Sequence, residues 1–485
     1  MKIMNKIKEI EDKELKRGLS LPMTIFIIVG LVIGSSIWLN PAAKLNEAGP
    51  SVWLAYLLAV IPSIFVAYVT AYIGSALPVS GGTYVVISRS VNPFIGFMSL
   101  WAVILAVSTT LATMAATFGT FLNDIIGISN STMQILFVIG VGVAILAIFY
   151  LLNLLHVSIS GVVEIVITLL GDLLVMMIFI FAAFKNIKAE NLTPMFPNGF
   201  SPVLVATLVF TFSYAGFSAV IDVAGEVKNP KKNIPRALAI SIPILVVLYT
   251  IQAFVVAGIQ DYAVPVGTVT EIILNLGILP EWLVDIMVIL IAIAIASTIH
   301  PVFLAYSRDI LIGGRDKILP NIFAKVNEKR RIPGPALTLI LILSVVILVV
   351  YLSILGPVIG IALTDAILVL SSVSAVSVLF AQVFVCVAAL KFPKKFPELH
   401  ESAGFKPKIN VLKIMAWLGL ITSVLFLLIV FVDFTIALYV ALSFVPFMII
   451  GIIYYLIRKA TLKKQGVNIS ETLSVWPKEI TISKS

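Results

Sequence analysis

The chain has 485 residues, of which 60% are hydrophobic and only 12% charged, and its formal net charge is +9. A soluble domain carries about 25% charged residues, so this composition excludes a water-soluble protein of this size, and its hydrophobicity excludes intrinsic disorder. A single cysteine, Cys386, excludes a disulfide framework and any multi-cysteine metal or iron–sulfur centre.

Lipid is the solvent that fits, and a spanning helix consumes about 20 apolar residues. In chain order the apolar runs are 20–40, 51–77, 93–122, 132–154, 158–184, 201–225, 237–258, 282–306, 336–355, 361–390, 413–432 and 434–457, which predicts twelve spans. The first run lies too far into the chain, and is followed by too many others, for a cleaved signal peptide. Asp433 alone separates the last two runs and predicts a tight turn. The stretch 1–19 mixes both charge signs and reads as a solvated arm, and 459–485 is a polar tail.

Lys and Arg counts in the loops set the orientation. With the N-terminus inside and all twelve runs spanning, 30 of the 33 basic residues fall on the inner side, and Lys44, Lys185 and Lys188 remain outside. Both termini are therefore expected in the cytoplasm, in a multi-pass protein of the cell membrane. The +9 charge becomes a topological label, and no nucleic-acid partner is expected. Short loops leave no room for a soluble catalytic domain. Three scattered histidines give no metal cluster, so neither an enzyme nor a cofactor is expected. Two glycosylation-type triplets, Asn130-Ser131-Thr132 and Asn191-Leu192-Thr193, fall on the outer side and are weak signals.

Two runs carry glycine and hydroxyl groups in mid-membrane. The first reads Gly30 to Trp38, with Ile33, Gly34, Ser35 and Ser36 at its centre, and the sixth reads Phe210 to Ser218, with Phe212, Ser213, Tyr214, Ala215 and Gly216. Gly34 and Gly216 are 182 residues apart, the length of one five-span unit. Secondary transporters place discontinuous helices at corresponding positions of two halves. An unwound turn frees N–H and C=O groups that lipid cannot satisfy. The freed N–H groups suit a carboxylate, and the freed carbonyls suit an ammonium group. Small residues at these positions also serve close helix packing.

These stretches, with several loop motifs, resemble the amino acid–polyamine–organocation (APC) superfamily of permeases. Gly34-Ser35-Ser36-Ile37-Trp38 matches its first-span motif, followed by Pro41 and Gly49-Pro50. Pro78, Gly81, Gly82 and Tyr84 match its next loop, with Arg89, Gly96, Phe97 and Trp101 behind them. Gly216-Phe217, Glu226, Asn229-Pro230 and Ile234-Pro235-Arg236 follow the sixth run, and Ser307-Arg308, Arg315-Asp316 and Leu319-Pro320 follow the eighth. The resemblance implies an all-α membrane protein of twelve transmembrane helices. Its core is a five-plus-five inverted repeat (LeuT-like) with helices 1 and 6 broken, the repeats running 20–200 and 201–390, and two further helices lie in 391–458. It also implies transport of amino acids or related amines. Ile33 to Ser36 would meet the substrate carboxylate, Ser213 to Gly216 its amino group, and Phe212 would gate the site. Arg89, Glu226 and Arg308 would be gate or scaffold charges.

The resemblance breaks at informative places. Ser36 replaces a glycine, and Ser218 stands where many members have Asp. The lysine that proton-coupled members carry in span five aligns with Gly171. Hydroxyls of a sodium site would fall at Thr298, Pro301 and Val302, and two of those three have none. Ionisable residues inside the bilayer are functional candidates by default, and the coupling candidates are Glu164 and Asp172 in span five and His300 in span eight. Asp222, Asp365 and His156 lie nearer the surfaces. Asp172 also suits pairing with a polar group, and His300 suits capping the carbonyl freed by Pro301. The expectation is a secondary transporter of amino acids working by alternating access, with neutral substrates favoured by its apolar lining and protons as the coupling ion. Exchange without an ion and a non-transporting receptor of the same fold stand beside it.

Overall fold

The computed structural model describes residues 19–79, 81–155, 161–221, 224, 227–327 and 332–473. Eleven helices among them are long and apolar enough to cross a membrane, and Ser201–Phe217 is a shorter apolar helix. In chain order the helices used below are α1 (Leu21–Ile33), α2 (Ser36–Ala43), α3 (Val52–Ala76), α4 (Gly82–Ser90), α5 (Pro93–Ile126), α6 (Ser131–Leu154), α7 (Gly161–Ile167) and α8 (Val175–Phe184). They continue with α9 (Ser201–Thr211), α10 (Pro230–Ile259), α11 (Val269–Asn275), α12 (Glu281–Arg315), α13 (Gly334–Val350), α14 (Leu363–Lys395), α15 (Pro397–Glu401), α16 (Ile409–Ile429) and α17 (Phe434–Lys464).

Side-chain caps fix where several helices begin, because the first turn has N–H groups without helical partners. Asn92 accepts from the Ile95 amide at 2.8 Å to open α5, with Pro93 at the first helical position. Asn130 accepts from Met133 at 3.1 Å to open α6. Asp433 accepts from the Ile436 amide at 2.8 Å to open α17 after a 3₁₀ turn, Val430–Val432, at the end of α16, which forms the tight turn expected there. The asparagine of the first triplet is thus a cap, and the Asn191 amide donates to the Gly258 carbonyl at 3.0 Å.

The bundle has a centre and a rim. Along its most apolar stretch α5 is 78% buried, against 28% for α6, α16 and α17. Helices α12 and α14 both pack on α5, and α3 packs on α10. The buried hydroxyls of Ser108, Thr109, Thr113, Thr117 and Thr120 donate to carbonyls three or four residues back along α5. These five hydroxyls are tolerable in a spanning helix because each of them is satisfied within its own turn. The rim presents large apolar side chains outward, such as Phe181 at 71% and Ile457 at 63% exposure, as a lipid-facing surface must.

Besides short 3₁₀ turns and a π-helical segment at Tyr351–Leu355, three departures from α-helical geometry lie around the first and sixth apolar runs and in the fifth. Between α1 and α2, Gly34 adopts φ +40° and ψ −140°. After α9 the chain winds more tightly as 3₁₀ helix over Phe212–Ile221. Between α7 and α8 it widens into a π-helical segment, Thr168–Leu174. Long 3₁₀ runs and π segments are uncommon and tend to mark functional sites.

Candidate functional site

The first two departures face each other. A Cβ added to Gly216 would stand 2.8 Å from the Leu31 carbonyl oxygen, so only glycine allows this approach. At Gly34 the positive φ demands glycine, while the space beside it is ordinary contact with the Met114 methyl at 3.4 Å.

Carbonyls on either side of Gly34 accept from side chains of three other helices. Thr298 of α12 donates to the Gly30 carbonyl at 3.3 Å and Tyr249 of α10 to that of Val32 at 2.8 Å. Tyr56 of α3 reaches the Ser36 carbonyl at 3.4 Å, and Gln252 of α10 that of Ile37 at 3.2 Å. Behind them Tyr56 stacks on Phe210, ring centroids 4.1 Å apart. These partners hold an otherwise unsupported backbone in one shape.

A cavity lies where the two segments meet. Its walls include Ile33, Gly34, Ser35 and Ser36 from the first segment and Phe212, Ala215 and Gly216 from the second. Helix α5 adds Val107, Thr110 and Met114, α12 adds Val302 and Tyr306, and α14 adds Val378. Its free volume is about 30 Å³, room for roughly one water. The Ser35 hydroxyl, in a residue 1% exposed, has no hydrogen-bond partner among the described residues. A buried hydroxyl left so costs about 1–3 kcal/mol, and a ligand in the cavity can remove that cost.

Seven of the nine residues singled out around the two segments line this cavity. Ser213 and Tyr214 do not: the Tyr214 hydroxyl donates to the Tyr56 carbonyl at 3.3 Å, and its ring stacks on Phe217. Asp172 and His300 do not line it either. Asp172 is 2% exposed within the π-helical segment and within electrostatic reach of Tyr249, the residue that holds the Val32 carbonyl. His300 is half-buried on α12 beside Pro301. At Gly171 an added Cβ would meet Leu290 O and Ala294 Cβ at 2.8 Å, so α12 occupies the space a side chain needs. Glu164 lies in α7, its side chain outside the described residues, as are Asp222, Glu226 and His156.

Arg89 has a partner that sequence reading missed. Its guanidinium binds Asp316 bidentately at 2.6 and 2.8 Å, both side chains at most 2% exposed. Burial works against the Arg89 charge, and Asp316 together with Tyr84 more than offsets it, so the group is held above its usual pKa. The pair ties α4 to the end of α12. Nothing in the sequence links residues 227 positions apart. The Thr110–Ser374 hydrogen bond, 2.7 Å long and joining α5 to α14 at the cavity wall, is equally unmarked.

Residues 19–455 match the profile of a family described as amino acid permease. The chain is 26% identical over 340 residues to the branched-chain amino acid permease BcaP of Bacillus subtilis, covering 66% of this chain and 72% of that protein. It is 24% identical over 341 residues to the methylthioribose transporter of the same species, covering 67% and 72%. It is 31% identical over 364 residues to the large neutral amino acids transporter small subunit 2 of Homo sapiens, covering 69% of this chain and 64% of that protein.

Proposed function

Because this chain belongs to the amino acid permease family, a family of membrane transporters rather than enzymes, we propose that it carries neutral amino acids across the membrane by alternating access. The substrate sits between the segments at Gly34 and Gly216. In this reading there are twelve spans, the sixth being the shorter helix at Ser201–Phe217. The first ten form two inverted repeats, both termini face the cytoplasm, and the chain resides in the cell membrane.

The observation that carries the proposal is the cavity at the meeting of two segments that leave α-helical geometry, with the Ser35 hydroxyl, unpartnered among the described residues, in its wall. Amides of Gly34 to Ser36 receive the carboxylate, and the backbone at Phe212, Ala215 and Gly216 receives the ammonium. The side chain extends toward Val107, Met114 and Val378. These are apolar, and a second charge there would lose its hydration without a partner. The names of two relatives, a branched-chain and a large neutral amino acid carrier, agree with that preference. Phe212 closes over the substrate. The present 30 Å³ is far below the roughly 300–1,000 Å³ of a ligand site, so loading requires the walls to part, as the motion between repeats provides.

Protons drive the movement through Asp172. Asp172 is buried in the π-helical segment, which packs on α1, and its charge acts on Tyr249, the residue that holds the Val32 carbonyl. His300 is the second candidate and Glu164 the third. Exchange without an ion is the alternative reading, favoured by Gly171, where packing leaves no room for a side-chain amine. Uptake into proteoliposomes separates these. Leucine, valine, lysine, putrescine and methylthioribose are offered with and without an inward proton gradient and with and without internal leucine. Accumulation of leucine and valine that follows the gradient and fails in Asp172→Asn is the expected result. Acceleration by internal leucine with indifference to the gradient replaces coupling by exchange. Leucine binding with no uptake under either condition overturns transport.

A further inference from the structure

A second cavity, distant in sequence from the first, lies where α5 begins and α17 ends. Its volume is about 680 Å³, within the range of a small-molecule site. One wall is Asn92, Pro93 and Phe94 at the start of α5. The opposite wall is Tyr455, Lys459 and Lys463, which lie four residues apart and so share one face of α17. The chain then turns back at Gly466, φ +72°, where the Val467 amide donates to the Leu462 carbonyl at 2.9 Å. Asn468 and Ile469 thereby close the third side. Leu462, Ile469 and Leu473 form a small apolar cluster that fixes this return.

The chemistry of the lining is specific. Lys459 and Lys463 have no carboxylate within salt-bridge distance among the described residues. The nearby acid, Glu471, accepts from the Asn468 amide at 3.1 Å. The amide-bearing, positive end of the 34-residue helix α5 adds to the same field. Phe94 and Tyr455 pack edge to face, centroids 5.1 Å apart, as an apolar floor. Lys464 is not part of the lining.

The depth in the bilayer is also legible. Along α17 the outward residues Ile449, Ile450, Ile453, Leu456 and Ile457 are 50–63% exposed, the pattern of a lipid-facing surface that ends at Ile457. Lys459 follows two residues further on, at the level of the headgroups. Basic pockets at this level between spanning helices suit anionic headgroups.

We propose that this cavity binds a phosphate-bearing anion, the headgroup of an acidic phospholipid or a soluble phosphate ester. Lys459 and Lys463 would bind the phosphate, and Phe94 and Tyr455 would pack against its organic part. The test is thermal unfolding of the full chain in neutral detergent with phosphatidylglycerol, phosphatidylcholine or water-soluble glycerol phosphate. Phosphatidylglycerol should raise the midpoint by several degrees beyond phosphatidylcholine. The difference should vanish in K459Q/K463Q, persist in K464Q and return in K459R/K463R. A shift with glycerol phosphate as well assigns the site to the phosphate ester itself, and a shift with phosphatidylglycerol alone assigns it to the lipid. Equal responses to the two lipids with none to glycerol phosphate, or an undiminished response in K459Q/K463Q, overturn the proposal. If the double variant does not fold, K463Q and the number of phosphatidylglycerol molecules retained in native mass spectrometry make the same distinction.

Discussion

Gly34 and Gly216 are both glycines for steric reasons, but the reasons differ. At Gly34 the backbone sits where a Cβ costs about 1–3 kcal/mol, although neighbouring atoms leave room. At Gly216 the backbone is permissive and the Leu31 carbonyl oxygen is the obstacle. Gly34→Ala should therefore strain one segment, and Gly216→Ala should push two apart. We expect each to cut leucine uptake at least about tenfold, since 1.36 kcal/mol corresponds to tenfold in rate, with normal membrane insertion. Radiolabelled uptake normalised to protein in the membrane checks this, and near-normal uptake in both would remove the two segments from the mechanism. Met114 lies against Gly34 in the cavity wall. Met114→Ala should enlarge the site and improve phenylalanine relative to valine, measured as the ratio of their kcat/KM values. The sequence pointed to Gly34 and Gly216 through composition alone, because small polar groups in mid-membrane are out of place. It held no mark on Met114 or Val107, which are ordinary residues of an apolar helix.

Between helices, the buried Arg89–Asp316 pair should resist change in either partner. Removing one member of a buried pair leaves an uncompensated charge and costs about 3–5 kcal/mol. Arg89→Ala and Asp316→Asn should each lower the unfolding midpoint markedly in detergent. Arg89→Lys should recover little, because an ammonium cannot reproduce two parallel bonds to one carboxylate. Gly171 makes a second prediction. Its contact with α12 at 2.8 Å means that Gly171→Ala overpacks the interface, by about 1–3 kcal/mol, and a thermal melt would reveal it. The π-helical segment around Gly171 and Asp172 had no sequence signal. A widened turn follows from how two helices meet and not from the residues within it.

For the whole molecule, the distribution of Lys and Arg predicts sidedness. Cys386 is buried and should be silent toward a membrane-impermeant maleimide. A cysteine placed at Lys188 should then react from outside intact cells, and one at Lys325 only after the membrane is opened. Labelling of both from outside would invert or refute the orientation. Among the described residues there are eleven helices long and apolar enough to span and one shorter apolar helix. The apolar run 201–225 falls short as a helix because its second half winds as 3₁₀ from Phe212.

By itself, the sequence determined the solvent, the apolar runs that enter it, the imbalance of basic residues between loops, and the places where glycine permits the backbone to leave the helix. All of these are properties of local composition. Tertiary structure decided which of the marked residues meet in one cavity, excluding Ser213 and Tyr214, and how small that cavity is. It also decided that Arg89 belongs to Asp316, and that Lys459 and Lys463 face the start of α5. The physical reason is that a helix in lipid carries apolar residues on every side, so no amphipathic stripe marks its inward face. Packing, which is non-local, assigns the faces.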